Sequence, residues 1–134
     1  MNRYLLDTNI VSALVRDPQG SISSRIAAVG GDNVCTSIVV AAELRYGIAR
    51  RNSPRLTEQV ERILAVLDIL PIESPVDEVY ARLRLQCERD GQPVGGNDLL
   101  IAAQALSLDL VLVTDNTREF SRFAELSIEN WLRA

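Results

Sequence analysis

Histidine and lysine are both missing from the chain, and its 14 basic residues are all arginine. Without histidine there is no imidazole base, no Ser-His-Asp triad and no histidine-ligated metal. Without lysine there is no Walker-type phosphate grip, no Schiff base and no lysine-assisted phosphotransfer. That last absence argues against a phosphatase or receiver-like reading of Asp7-Thr8-Asn9, whose aspartate would otherwise suit an aspartyl-phosphate nucleophile. Only Cys35 and Cys87 carry thiols, too few for a zinc set and, with no secretory context, read as two small buried hydrophobes. Aromatic residues make up 4% of the chain, so base stacking is not expected to dominate any nucleic-acid affinity. No apolar run reaches the roughly 18 residues of a membrane span, and MNRYLLDTNI lacks the pattern of a signal peptide. The expected location is the cytoplasm, with no membrane partner.

What is present is carboxylate. The 134 residues carry 18 acids and a net charge of −4, and 47% of them are hydrophobic, enough for one core and one domain over residues 1–134. With no imidazole or amine available, chemistry at a site here rests on oxygen ligands, which suit hard cations such as Mg²⁺ or Mn²⁺.

Hydrophobic patterning alternates between strand and helix. Strands are expected at Tyr4–Leu6, Val34–Thr36, Ile69–Ile72 and Leu110–Val113, with a last one near Ile128, and Trp131 as a packing residue. Helices are expected from about Asn9 to Val15, from Ser21 to Val29 ahead of Gly30-Gly31, and from Ile38 to about Ala49 behind a Ser37 cap. Others cover Leu56 to Leu67, a segment from Val76, and a nearly all-apolar segment opening at Asn97 or Asp98. On the segment from Val76, Glu78 with Arg82 and Arg84 with Glu88 have the spacing of helical ion pairs. Strands alternating with helices predict an α/β fold with a parallel sheet.

Four polar positions stand out against these elements. Asp7 follows the apolar run YLL, and Asp115 and Asn116 follow LVLV, at the strand ends where parallel sheets form their sites. Asp98 lies in the first turn of the buried helix, behind Gly95 and Gly96, which would let the backbone approach something closely. Glu43 interrupts IVVAAELRYG, where a lone carboxylate is costly to bury. Each has an ordinary alternative: helix caps for Asp7 and Asp98, a solvated stripe with Arg50 for Glu43, a turn for Asp115 and Asn116. Acids brought together repel one another unless a cation lies between them, so convergence of the group points to a metal.

LLDTNI, AELRYG, GQPVGGNDLLIAAQAL and LVLVTDNTREFSR, in this order from Tyr4 to Trp131, resemble the PIN-domain ribonucleases, most closely the VapC-type toxins of toxin–antitoxin pairs. The resemblance implies a three-layer α/β/α fold around about five parallel strands and a Mg²⁺- or Mn²⁺-dependent endoribonuclease. Asp7, Glu43 and Asp98 would be metal ligands, with Asn9 and Thr114 supporting them. The fourth acid would be Asp115, or Asn116 would stand in its place as a neutral group, leaving one or two ions open. RNA substrate, a cognate antitoxin reaching the acids with an arginine, and a homodimer or larger assembly with antitoxin follow from the same likeness. Arg45, Arg50, Arg51 and Arg55, with Arg118 and Arg122, could guide RNA or could be solvated helix faces. A catalytically weak module that binds RNA or antitoxin is the competing reading.

Overall fold

The computed structural model describes residues 2–133. Five strands form one sheet among the described residues: Tyr4–Leu6 (β1), Val34–Ser37 (β2), Asp68–Leu70 (β3), Val111–Val113 (β4) and Ile128–Glu129 (β5). All neighbours are parallel, in the order β3-β2-β1-β4-β5. Around it pack Thr8–Arg16 (α1), Ser21–Val29 (α2), Ile38–Arg51 (α3), Pro54–Val66 (α4), Val76–Arg89 (α5), Gly96–Ser107 (α6) and Thr117–Phe120 (α7). The parallel sheet is what the alternating pattern predicts, and the three-layer α/β/α arrangement is what the resemblance implies. Covering both faces explains why β2 and β4 carry no exposed position.

The order of strands decides where a site can form. From central β1 the chain adds β2 and β3 on one side, then returns to lay β4 and β5 on the other. The reversal falls between β1 and β4, where Leu5 pairs with Leu112 and Leu6 with Val113. Helices leave adjacent strands in opposite directions there and open a crevice at the carboxyl edge.

Local signals account for most element ends. Asp7 caps α1, Ser37 caps α3 by accepting from the Val39 N–H at 3.0 Å, and Ser53 with Pro54 starts α4. Asn52 ends α3 in the left-handed region at φ 50°. Pro71 stops β3 at Leu70, two residues short of the expected end, because proline cannot donate to the ladder. One hydrophobic cluster joins Leu5, Leu6 and Leu112 of the sheet to Ile10, Val40, Leu83, Ile101 and Phe120 of the helices.

Several expectations need correcting. Arg82 does not pair with Glu78; its guanidinium reaches Glu125 at 2.7 Å, whereas Arg84 does meet Glu88 at 3.4 Å. A Cβ on Gly95 or Gly96 would meet no described atom of the chain within 4 Å, so packing within the chain does not require either glycine. The short helix α7 and a 3₁₀ turn over Gly31–Asn33 have no periodic signal, being about one turn long. Cys35 and Cys87 are free and buried, and burial raises the Cys35 thiol to about 11.

Candidate active site

Asp7 is the anchor. It follows β1 directly, its N–H donates to the Val113 carbonyl of β4 at 2.9 Å, and only 3% of it is exposed. Both carboxylate oxygens are held. The Thr8 N–H donates to Oδ1 at 2.8 Å and the Thr114 hydroxyl donates to Oδ2 at 2.8 Å. Asn9 Nδ2 lies 3.5 Å from the same Oδ2, while Asn9 Oδ1 accepts from the Asp115 N–H at 2.9 Å. The polar residues after β1 thus clasp those after β4 across the switch point. Asn9 and Thr114 stand where the sequence reading puts them, as hydrogen-bonding partners of the first acid.

The other acids come from helices that start at the same edge. α3 begins straight after β2, so Glu43 stands six residues, about 9 Å, above its Ser37 cap. Val40 and Leu44 beside it face the core, and Glu43 is half-buried at the crevice, on the groove-lining face of α3 that it shares with the exposed Arg50. Its Oε1 accepts from the Thr8 hydroxyl at 2.7 Å. Thr8 therefore serves two acids, Asp7 through its backbone and Glu43 through its side chain. Asp98 lies in the first turn of α6, where the helix N-terminus favours its charge.

Electrostatics show that these groups share one space. The Asp98 carboxyl is raised to about 7, first by burial and then by the charges of Asp7, Glu119 and Glu43, with a further hydrogen bond to Glu119. Asp7 is raised by burial, against the lowering effect of its bonds to Thr114 and Thr8, with Glu43 and Glu119 adding repulsion. Asp7, Glu43 and Asp98 are thus brought together, with Glu119 as the fourth acid of the group.

Asp115 does not join them. Its Oδ1 accepts from Asn130 Nδ2 at 2.9 Å and faces the Arg133 guanidinium at 3.4 Å. Asn116 points to the group only indirectly, by donating from Nδ2 to Glu119. The β4 edge forces this: Asn9 holds the Asp115 backbone and the Thr114 hydroxyl accepts the Asn116 N–H, which turns the Asp115 side chain towards the C-terminal segment. Glu119 and Thr8 are the residues that sequence reasoning missed. The available signal for Glu119 is its position three residues after Asn116, the spacing at which a helix-starting residue and a Glu meet. Thr8 carries no signal, because its hydroxyl bond crosses 35 positions of sequence.

None of Asp7, Glu43, Asp98 or Glu119 makes an ion pair among the described residues. Nor do three His, Cys, Asp or Glu side chains among the described residues form a ready-made cage for a metal. The two observations agree for a hard, strongly hydrated ion. Mg²⁺ keeps several waters and is usually held by one or two carboxylates rather than by an all-protein cage. An all-oxygen donor set with uncompensated negative charge fits such an ion.

The family model for the PIN domain matches residues 4–126. This chain belongs to the PIN-domain family. Among curated relatives it is 33% identical to Ribonuclease VapC2 of Rickettsia felis over 96% of this chain and 97% of that one. It is also 33% identical to the tRNA(fMet)-specific endonuclease VapC of Shigella flexneri, covering 98% of this chain and 99% of the relative. Among solved structures, the VapBC2 complex of Rickettsia felis bound to a promoter DNA fragment superposes with a TM-score of 0.87 at 32% identity, covering 96% of this chain and 98% of that one. The DNA-bound VapBC of Salmonella typhimurium gives 0.87 at 31% identity, over 98% and 99% of the two chains. This PIN domain is thus of the VapC type along nearly its whole length. No helix among its described residues is long and apolar enough to cross a membrane.

The basic residues separate into two kinds. Arg45 is engaged by Glu61, with Nη2 at 2.8 Å and Nε at 3.1 Å. Arg122 donates to the Gln92 carbonyl. Arg50, Arg51, Arg55 and Arg118 are exposed and make no ion pair among the described residues.

Proposed function

We propose that this PIN domain is a Mg²⁺- or Mn²⁺-dependent endoribonuclease and the toxin of a toxin–antitoxin pair. The observation that carries the reading is the set of four unpaired carboxylates at the β1–β4 switch point, two of them pushed above their ordinary range. Like charges held this close destabilise the fold unless a cation belongs among them. The ribonuclease names of relatives that match end to end support the choice of RNA as substrate.

Asp7 and Asp98 would hold the ion, with Glu43 and Glu119 completing the negative field around it. When bound, the ion supplies Lewis acidity, acidifying water and neutralising charge that develops on the phosphodiester. The chain's own work is positional. Thr8 N–H and Thr114 Oγ1–H fix both oxygens of Asp7, so its lone pairs are aimed before any ligand arrives. The Thr8 hydroxyl fixes Glu43 in the same way. Preset ligands reduce the reorganisation needed when a substrate phosphate enters.

The antitoxin partner rests on the same charge. An arginine from another chain would satisfy these acids by a bidentate contact, and relatives of this fold are solved as VapBC complexes. RNA incubated with the protein and Mg²⁺ should be cut, and excess EDTA should stop the reaction. Cleavage that persists after the metal is stripped would refute the mechanism. Mn²⁺ titration separates this from the weak binding module, which need not take up metal at Asp7 and Asp98.

A further inference from the structure

Beside the acid cluster a groove of 480 Å³ runs between α1, α3 and α4. Thr8 and Glu43 line it, as do Arg16, Arg50 and Arg51, over an apolar floor that includes Leu44 and Ile48. Arg16 closes the last turn of α1, and Arg50 and Arg51 close that of α3. All three are exposed, and none makes an ion pair among the described residues. Seven of the 14 arginines meet a carboxylate, at Arg3, Arg25, Arg45, Arg62, Arg82, Arg84 and Arg133; of those that do not, these three gather on one groove beside the acids. Arg50, which lines the groove, also lies over the ring of Tyr46 at 5.5 Å, and Tyr46 is 65% exposed, an aromatic left in water next to a groove-lining guanidinium.

We propose that this groove is the track for single-stranded RNA leading to the acids, with Arg16 and Arg51 on phosphates and the Tyr46–Arg50 pair as a platform for one base. The inference rests on the ribonuclease reading and says where its substrate lies. Unpaired guanidiniums select an anionic occupant, and its continuity with Thr8 and Glu43 places that occupant against the cluster. An acidic peptide would satisfy the arginines equally well but gives no role to an exposed, cation-backed ring. Flat stacking on aromatic and guanidinium planes is how unpaired bases are held. Arg45 is left out, its donors being taken by Glu61.

The test uses the full chain carrying Asp98→Asn, so that RNA is bound without being cut, and a fluorescent single-stranded RNA titrated at several salt concentrations. Adding Arg16→Gln and Arg51→Gln together should weaken binding and lower the slope of log Kd against log salt by about 1.4, at about 0.7 per lost phosphate contact. Adding Tyr46→Ala should weaken binding about tenfold with the slope unchanged, the signature of stacking. Arg62→Gln, whose guanidinium pairs with Glu58 on α4, removes the same charge and should leave both quantities as they were. If the groove variants bind like Arg62→Gln while the wild type still cuts RNA, the track is wrong and the ribonuclease reading survives. If the wild type neither cuts nor binds RNA, both fall. If the groove variants lose a polyglutamate peptide but keep RNA, the occupant is an acidic protein segment and the proposal is overturned. Thermal melts of every variant confirm the fold, and all four positions are exposed.

Discussion

Asp98→Asn removes one negative charge from the cluster while keeping the shape of the side chain. Asp98 rises from 3.8 to about 7, led by burial and then by Asp7, Glu119 and Glu43. A folded-state value above the unfolded one means that the folded chain binds more protons between about pH 4 and pH 7. Stability therefore falls as pH climbs through that window, and the full cost is present above it. Three pH units at about 1.4 kcal/mol each set an upper bound of about 4 kcal/mol. Asp98 is only half-buried, and solvent screening reduces this to about 1–2 kcal/mol. Losing the charge at the N-terminus of α6 offsets about 0.5 kcal/mol. The asparagine variant should then be more stable than the wild type by about 1 kcal/mol at pH 8, or about 4 °C in melting temperature. At pH 4.5 the two should nearly coincide. Urea unfolding in EDTA at both pH values measures the difference. Mn²⁺ should stabilise the wild type more than the variant, because only the wild type keeps the ligand. A variant less stable at pH 8 would mean that Asp98 serves α6 as a helix-start charge, and the electrostatic account of the site would be wrong.

Glu119→Gln should lower RNA cleavage by an order of magnitude or more, and Asp115→Asn should leave it within about twofold, since only the first carboxylate faces the cluster; the opposite ranking would return Asp115 to the fourth position. Thr8→Val should weaken Mn²⁺ binding about tenfold by freeing Glu43, as loss of a ligand's hydrogen-bonding partner does, with the urea midpoint little changed; unaltered metal affinity would remove Thr8 from the site. Leu112→Ala should cost about 2–5 kcal/mol, because Leu112 is wholly buried on β4, an inner strand of the sheet; a shift below about 1 kcal/mol in urea unfolding would contradict that packing.

Much of this protein was decided along the chain. Apolar runs at YLL and VLV, the caps Asp7 and Ser37, and the break at Asn52 act within a few residues, so strand and helix were legible there, whereas the expected third strand ran past Pro71. The absence of histidine and lysine left carboxylates as the candidate groups for a site. Asp7, Glu43 and Asp98 were readable as candidates because a carboxylate beside an apolar element is costly unless it has a use. Only the folded chain chose the fourth acid. Asp115 and Glu119 stand four positions apart on one short turn, and which of them faces inward depends on Asn9 and Thr114 gripping the backbone of residues 115 and 116. The Asn9 grip spans 106 positions, and the local Thr114 grip is itself aimed by a bond to Asp7 across 107, so no local pattern encodes the outcome. The arginines divide for the same reason: Arg45 and Arg50 look alike in sequence, but Glu61, sixteen residues away on α4, engages one and leaves the other over the groove. Sequence set which groups were available, and tertiary contact set their direction, because a side chain's aim is fixed by whatever it touches.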